Sequence, residues 1–170
     1  VLTAAQLNVD VRDNSNETAP AKFTAAGQLF VATGANAGAA RTPSSARVET
    51  SETTTSSTMT DLTTSGPAVT VTTGTAALVF LTARIESNTA SDGGAMGYAV
   101  SGASTISATD DTSKALRLIS AVANIRQRCT AVIRETGLTA GSNTFTAKYE
   151  RIGAASTATI AMRELLVIPL

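Results

Sequence analysis

The sequence predicts a mainly β protein built as an antiparallel sandwich, and three observations carry that prediction. Thr, Ser, Ala, Gly and Val dominate while aromatic residues are only 4%. A core must therefore come from Val, Leu, Ile and Ala, and β-branched residues suit pleated strands. Short apolar or alternating segments recur along the chain, separated by clusters of Gly, Pro, Asn, Asp and Ser. Helical spacing is met only in two short stretches. With 43% hydrophobic residues in 170, the chain suffices for one ordinary domain plus an arm.

The first stretch with helical character is near the start. Thr3-Ala4-Ala5-Gln6 fits a capping box, with Thr3 as N-cap and Gln6 reaching back. Leu7 and Val11 follow four apart, on one helical face. Asn14-Ser15-Asn16 ends the pattern. A helix this short is not stable alone and must dock, either on its own domain or on a partner. Residues 17–22 read as an extended linker, because Pro20 disfavours helix in its predecessor. Leu29, Phe30 and Val31 lie in a short strand, residues 34–38 form a turn, and Ala39-Ala40-Arg41 pair back. A lone two-stranded hairpin is marginal in water, so this one should lean on another surface or on other copies of the chain. Residues 1–45 thus form an arm with a short helix and a small hairpin.

Residues 46–170 are a succession of strand signals. Residues 48–53 alternate weakly, 68–72 alternate cleanly, and 76–86 are apolar at first and alternating later. Further strands are expected over 95–100, 115–121, 126–135, 143–150, 158–161 and 163–170. The segment 113–126 also permits a helical reading through Leu116, Ile119, Val122 and Ile125. About eight to ten strands in about 125 residues suit a jelly roll better than an immunoglobulin-like pair of sheets. A closing strand as apolar as Leu165 to Leu170 must be central or buried between subunits, since exposed it would aggregate.

Composition also bounds the chemistry. There is no His, which removes Ser-His-Asp, Cys-His and His-based metal sites. No Walker loop or GxGxxG pattern occurs. Glu86 and Glu150 would make a glycosidase pair only if the strands brought them together, and the chain has no Trp and two Tyr where carbohydrate clefts are usually aromatic. Asp92, Asp110 and Asp111 offer oxygens for Ca²⁺, but the spacing matches no calcium loop and turn chemistry explains them equally. No catalytic residue, cofactor or metal is expected. Lys plus Arg and Asp plus Glu are 13 each, so no basic surplus draws the chain to nucleic acid. No apolar run reaches the length of a membrane helix, and residues 1–7 lack the pattern of a secretory signal. Cys129 is expected to be a buried, inert thiol. Arg126, Arg128, Arg134 and Arg151 read as solvated strand faces or as ion-pair partners of Glu135 and Glu150.

Two blocks carry a resemblance. Leu7-Asn8-Val9-Asp10-Val11-Arg12-Asp13-Asn14, with Glu17-Thr18-Ala19-Pro20-Ala21-Lys22 and Gln28-Leu29-Phe30-Val31-Ala32-Thr33-Gly34, resembles the N-terminal segment of small virion proteins of tailed bacteriophages. Gly137-Leu138-Thr139-Ala140-Gly141-Ser142-Asn143-Thr144-Phe145 and Arg163-Glu164-Leu165-Leu166-Val167-Ile168-Pro169-Leu170 look like the last strands of their jelly-roll domains. The resemblance implies a non-enzymatic virion structural protein, made in the host cytoplasm and often trimeric, with an N-terminal anchor. A capsid decoration protein docked on the major capsid protein is the first expectation. A minor tail or fibre protein that binds a host receptor or glycan is the alternative. No nucleic acid or membrane partner is expected. Docking is expected at Leu7, Val11, Leu29, Phe30 and Val31. Phe145, Leu165, Val167 and Leu170 are expected in core or intersubunit strands.

Overall fold

The structure, a computed structural model, describes residues 3–6, 9, 22–35, 37–154 and 156–170. A small hairpin comes first, from β1 (Leu29–Gly34) and β2 (Ala37–Arg41). Two antiparallel sheets follow. One has the order β3 (Ser44–Val48), β11 (Ala158–Pro169), β6 (Ala76–Ser87), β9 (Gln127–Thr136), with β4 (Glu52–Thr54) also paired to β11. The other has the order β5 (Ala68–Thr73), β10 (Gly141–Ile152), β7 (Asp92–Gly102), β8 (Leu116–Ser120). The protein is therefore mainly β, an antiparallel sandwich.

Strict alternation builds the core between the sheets. Along β6, Ala77, Val79, Leu81, Ala83 and Ile85 are fully buried while the residues between them are only half-buried. Phe145, Ala147 and Tyr149 of β10 face them from the other sheet, with Met96, Tyr98 and Val100 of β7. A period of two is what one buried face of a strand requires.

The pairings have a common centre. β7 pairs with β8, β6 with β9, β5 with β10, and β3 with β11. Each nested pair is centred on the same few residues around Ile106. The body is thus one long antiparallel ribbon, rolled so that β6 also meets β11 and β7 also meets β10.

β11 is a single strand where the sequence suggests two. Its register against β6 slips between Ala161 and Glu164, and Met162 lies at φ 50°. One extra residue there is a β-bulge. Before the bulge Ala158 and Ile160 face inward; after it Arg163, Leu165 and Val167 do. The bulge therefore exchanges the two faces of the strand. It also turns Arg163 wholly inside, where its guanidinium lies 5.2 Å from the Tyr149 ring centroid. Arg163 Nη2 donates to Glu52 Oε2 at 3.1 Å and Nη1 to the Thr64 carbonyl at 3.0 Å. Thr64 N–H donates to Glu52 in turn, and the Tyr149 hydroxyl donates to the Gly66 carbonyl. One buried cation so ties residues 52–66 to β10 and β11.

The stretch that also permitted a helix forms β8 as a short edge strand, and residues 121–126 run on as a loop anchored by Asn124 N–H to the Ser87 carbonyl. The first strand of the body begins earlier than the alternation suggests, at Ser44, and residues 49–51 separate it from β4.

Arg163→Ala should destabilise the fold by about 3–5 kcal/mol, because it strands a carboxylate and leaves a cavity. Arg163→Met, which keeps most of the volume, should cost less. Urea denaturation midpoints check both, and an Arg163→Ala midpoint equal to that of the parent would contradict the role assigned to this residue.

Candidate functional site

The hairpin β1–β2 belongs to neither sheet of the sandwich. Its approach is a turn at residues 24–28, where Gln28 Oε1 accepts from Thr24 N–H and Ala25 N–H and Gln28 Nε2 donates to Thr42 Oγ1. Gly27, at φ 79°, allows the reversal. Phe23 meets Phe30 edge-on, with centroids 6.4 Å apart. The Phe30 ring lies across Gly38, where a Cβ would collide with it. Even so Phe23, Leu29 and Phe30 remain 40%, 43% and 41% exposed. Phe30 and Leu29 are neighbours on a strand and so point to opposite faces, so neither face of the hairpin is fully covered. Val31 is half-buried.

The arm before the hairpin is described in part. Thr3 and Gln6 form the reciprocal cap, with Thr3 N–H donating to Gln6 Oε1 at 3.0 Å and Gln6 N–H to Thr3 Oγ1 at 3.2 Å. Residues 4–6 are helical and Val9 is exposed. Leu7 and Val11 lie outside the described residues.

The remaining sequence-named residues sit in the body. Phe145, Leu165 and Val167 are fully buried within the sandwich, and Leu170 is half-buried just beyond β11. The Gly137–Phe145 block has a structural explanation. Leu138 is buried and Gly137 and Gly141 take positive φ. Asn143, fully buried, donates to Thr73 Oγ1 and the Thr139 carbonyl and accepts from Ser104 N–H. That one amide fastens three connections at the same end of the sandwich.

The two outer faces differ. Over β7 and β10, loops lie against the sheet: Met59 and the Thr109 carbonyl sit over Gly97, and Lys148 pairs with Asp61 at 2.6 Å, while Thr60 and Ile106 bridge in the sheet plane to Tyr149 and Val100. The outer face of β6, β9 and β11 carries half-buried Leu78, Phe80, Leu166 and Ile168, with Val132 at 59% exposure. Phe80 sits between Leu166 and Val132 in the register, and Leu78 beside Ile168. The apolar runs at 76–81 and 165–170 were the sequence signal for this face, and Phe23 was missed because nothing local marks its contact with Phe30.

The charged residues form structural pairs. Glu86 pairs with Arg126 at 2.7 Å on the outer face of one sheet. Glu150 lies on the outer side of the other, beside Asp110. The two carboxylates are therefore on opposite sides of the sandwich, and their meeting is ruled out by geometry. Arg128 pairs with Glu164, not with Glu135 or Glu150. Glu135 is buried and receives Tyr98 Oη at 2.6 Å and Lys114 Nζ at 3.0 Å. Burial, with the Glu135 carboxylate adding, pushes the Tyr98 hydroxyl far up. Asp111 closes a turn by accepting from Ser113 N–H. Among the described residues, no three acidic or sulfur side chains gather as a metal site. Cys129 is half-buried and packs on the core. No helix among the described residues is long and apolar enough to cross a membrane.

No protein-family model matches the chain, and no curated protein matches it significantly. Among solved structures, a chain of infectious bursal disease virus (Gx strain) is similar with a TM-score of 0.46 at 8% identity. The match covers 82% of this chain and 36% of that one, so this chain spans little more than a third of its neighbour's length. A likeness this remote decides neither family nor function.

Burial raises the Glu150 carboxyl above the ordinary glutamate range, the adjacent Asp110 raises it further, and Arg117 opposes. The folded state then binds this proton more tightly than the unfolded chain does. The resulting penalty is absent in acid below the ordinary glutamate value, grows as pH rises through the folded value, and is constant above it. Glu150→Gln should therefore raise the melting temperature at neutral pH and change it little near pH ~3. Thermal melts at the two pH values check the sign.

Proposed function

We propose that this protein is a non-enzymatic virion structural protein, a capsid decoration protein that assembles as a homotrimer and docks through its N-terminal arm and hairpin. The observation that carries the reading is the hairpin itself. It stands apart from both sheets and exposes Phe23, Leu29 and Phe30, an arrangement that favours burial against a partner by roughly 25 cal/mol per Å² before ordering costs. The sequence resemblance to tailed-phage virion proteins supplies the kind of partner. The apolar outer face of β6, β9 and β11 supports self-association, because large exposed apolar patches mark interaction surfaces.

We read the sandwich as a jelly roll. In support, the eight ribbon strands visit the two sheets in the sequence β3, β5, β6, β7, then β8, β9, β10, β11, with the second half mirroring the first. Double-sheet jelly rolls are eight-stranded and recur in viral capsid proteins.

Phe30→Asp combined with Leu29→Asp should abolish association with particles while leaving the melting temperature of the sandwich within a degree or two, on the order expected for exposed sites. Co-sedimentation with purified particles measures it, and retained decoration would refute the hairpin as anchor. Copy number by quantitative mass spectrometry separates the sites: high occupancy means the head, whereas a few copies mean a minor tail or fibre protein. Light scattering tests the trimer, and Val132→Asp should shift it toward monomer.

A further inference from the structure

A groove of about 400 Å³ runs between the hairpin and the sandwich. One wall is Thr70, Val71 and Thr72 of β5, and the other is residues 40–44, from the end of β2 to the start of β3. Three consecutive strand residues line it. A strand face would offer every second residue, so the groove lies along the edge of β5. Among the described residues, β5 is the outermost strand of its sheet and β2 pairs with β1 alone. The open edge of β5 thus faces the base of the hairpin, where Gln28 joins residues 40–44 in the wall, and an open edge presents unpaired backbone N–H and C=O groups.

Arg41 stands in the same wall and also lines a second groove beside Leu170. Its Nε is buried and finds no hydrogen-bond partner among the described residues. None of the ion pairs among the described residues involves its guanidinium. Arg41 as a whole is half-buried and borders both grooves, so one buried N–H of an otherwise accessible cation goes unsatisfied, which is unfavourable, and a carboxylate is the group whose geometry answers a guanidinium fork. The groove holds no aromatic side chain on which a sugar ring would stack.

We propose that this groove takes an extended segment of a partner protein, which adds along the edge of β5 and sets an Asp or Glu side chain on Arg41. Main-chain pairing supplies affinity in strand addition, and side-chain pockets supply specificity. Here Arg41 selects an acidic residue, and the segment links the hairpin to the sheet of β5, β10, β7 and β8. The inference goes beyond the particle reading and does not depend on it, because any acidic strand from any protein partner satisfies it.

The test uses the full chain, labelled with nitrogen-15, and three probes: the capped peptide Thr-Val-Asp-Val-Thr, the same peptide with Asn for Asp, and sodium glucuronate. The Asp peptide should shift the backbone amides of residues 70–72 and the Arg41 Nε–H saturably, and slow exchange of the edge amides. The Asn peptide should bind roughly tenfold more weakly, the loss of one charge-assisted contact. Arg41→Gln should remove the difference between the two peptides while core amides keep their positions. Absence of shifts at residues 70–72 with millimolar Asp peptide overturns the proposal, as does equal binding of the two peptides. Shifts at Arg41 from glucuronate without any from the peptides overturn it in favour of an acidic-saccharide site. Loss of particle binding on altering Phe30 is read in a separate assay, so failure of either idea leaves the other standing.

Discussion

The residue inserted into β11 at Met162 fixes which side chains of that strand reach the core, and β11 is the strand on which β3, β4 and β6 all pair. Without the slip, Leu165 and Val167 would point outward and Leu166 and Ile168 inward. The bulge also delivers Arg163 to Tyr149 and Glu52, so a packing decision and an electrostatic one are made at the same place. Glu52 responds accordingly. Burial opposes its ionisation, but hydrogen bonds from Thr64 and the Arg163 charge prevail and hold its carboxyl below the ordinary range. The charge inside the sandwich is matched, and the long connection from β4 to β5 is fixed to the body by it.

The sandwich is asymmetric in a way that bears on assembly. Loops lie over the outer face of β7 and β10 at Gly97 and Lys148, whereas β6, β9 and β11 show an apolar band. A sheet apolar on both faces is normally covered on both. The hairpin repeats the pattern at smaller scale, with large apolar side chains on each of its faces. Ile119, Val122 and Ile125, around the β8–β9 connection, are a further exposed group, which strand alternation alone does not require.

Where one face of a strand is buried and the other is wet, the sequence was readable. Residues 68–72 and 143–150 alternate because burial alternates, and the apolar runs of 76–81 and 165–170 told of strands whose outer face is apolar as well as their inner one. The bulge was harder. Arg163 occupies an inward position, so the change of phase between Ile160 and Leu165 looks like an interruption instead of a continuous strand. Residues 113–126 were ambiguous because β8 is short and at an edge, where few contacts impose a period. Leu29 and Phe30 could be named from composition, but their exposure, the Phe23 contact and the unpartnered state of Arg41 arise from tertiary placement, which no local pattern encodes. Arg126 and Arg128 are exposed, as a solvated strand face requires, but their ion-pair partners are Glu86 and Glu164, which the sequence could not name because pairing across strands depends on a register that it leaves free.

The nested ribbon has a kinetic meaning. Every pair outward from β7–β8 closes a longer loop than the one inside it, and each added closure carries more chain entropy. The tip can form from local contacts, but β3 must wait for β11, more than a hundred residues downstream. During synthesis the first half of the ribbon leaves the ribosome with open strand edges and no partner to cover them. Folding is therefore expected to be slow, as it is for chains dominated by distant pairings. The charged outer positions of β6, Arg84 and Glu86, then matter before the fold exists, because charge on a waiting strand opposes its joining another.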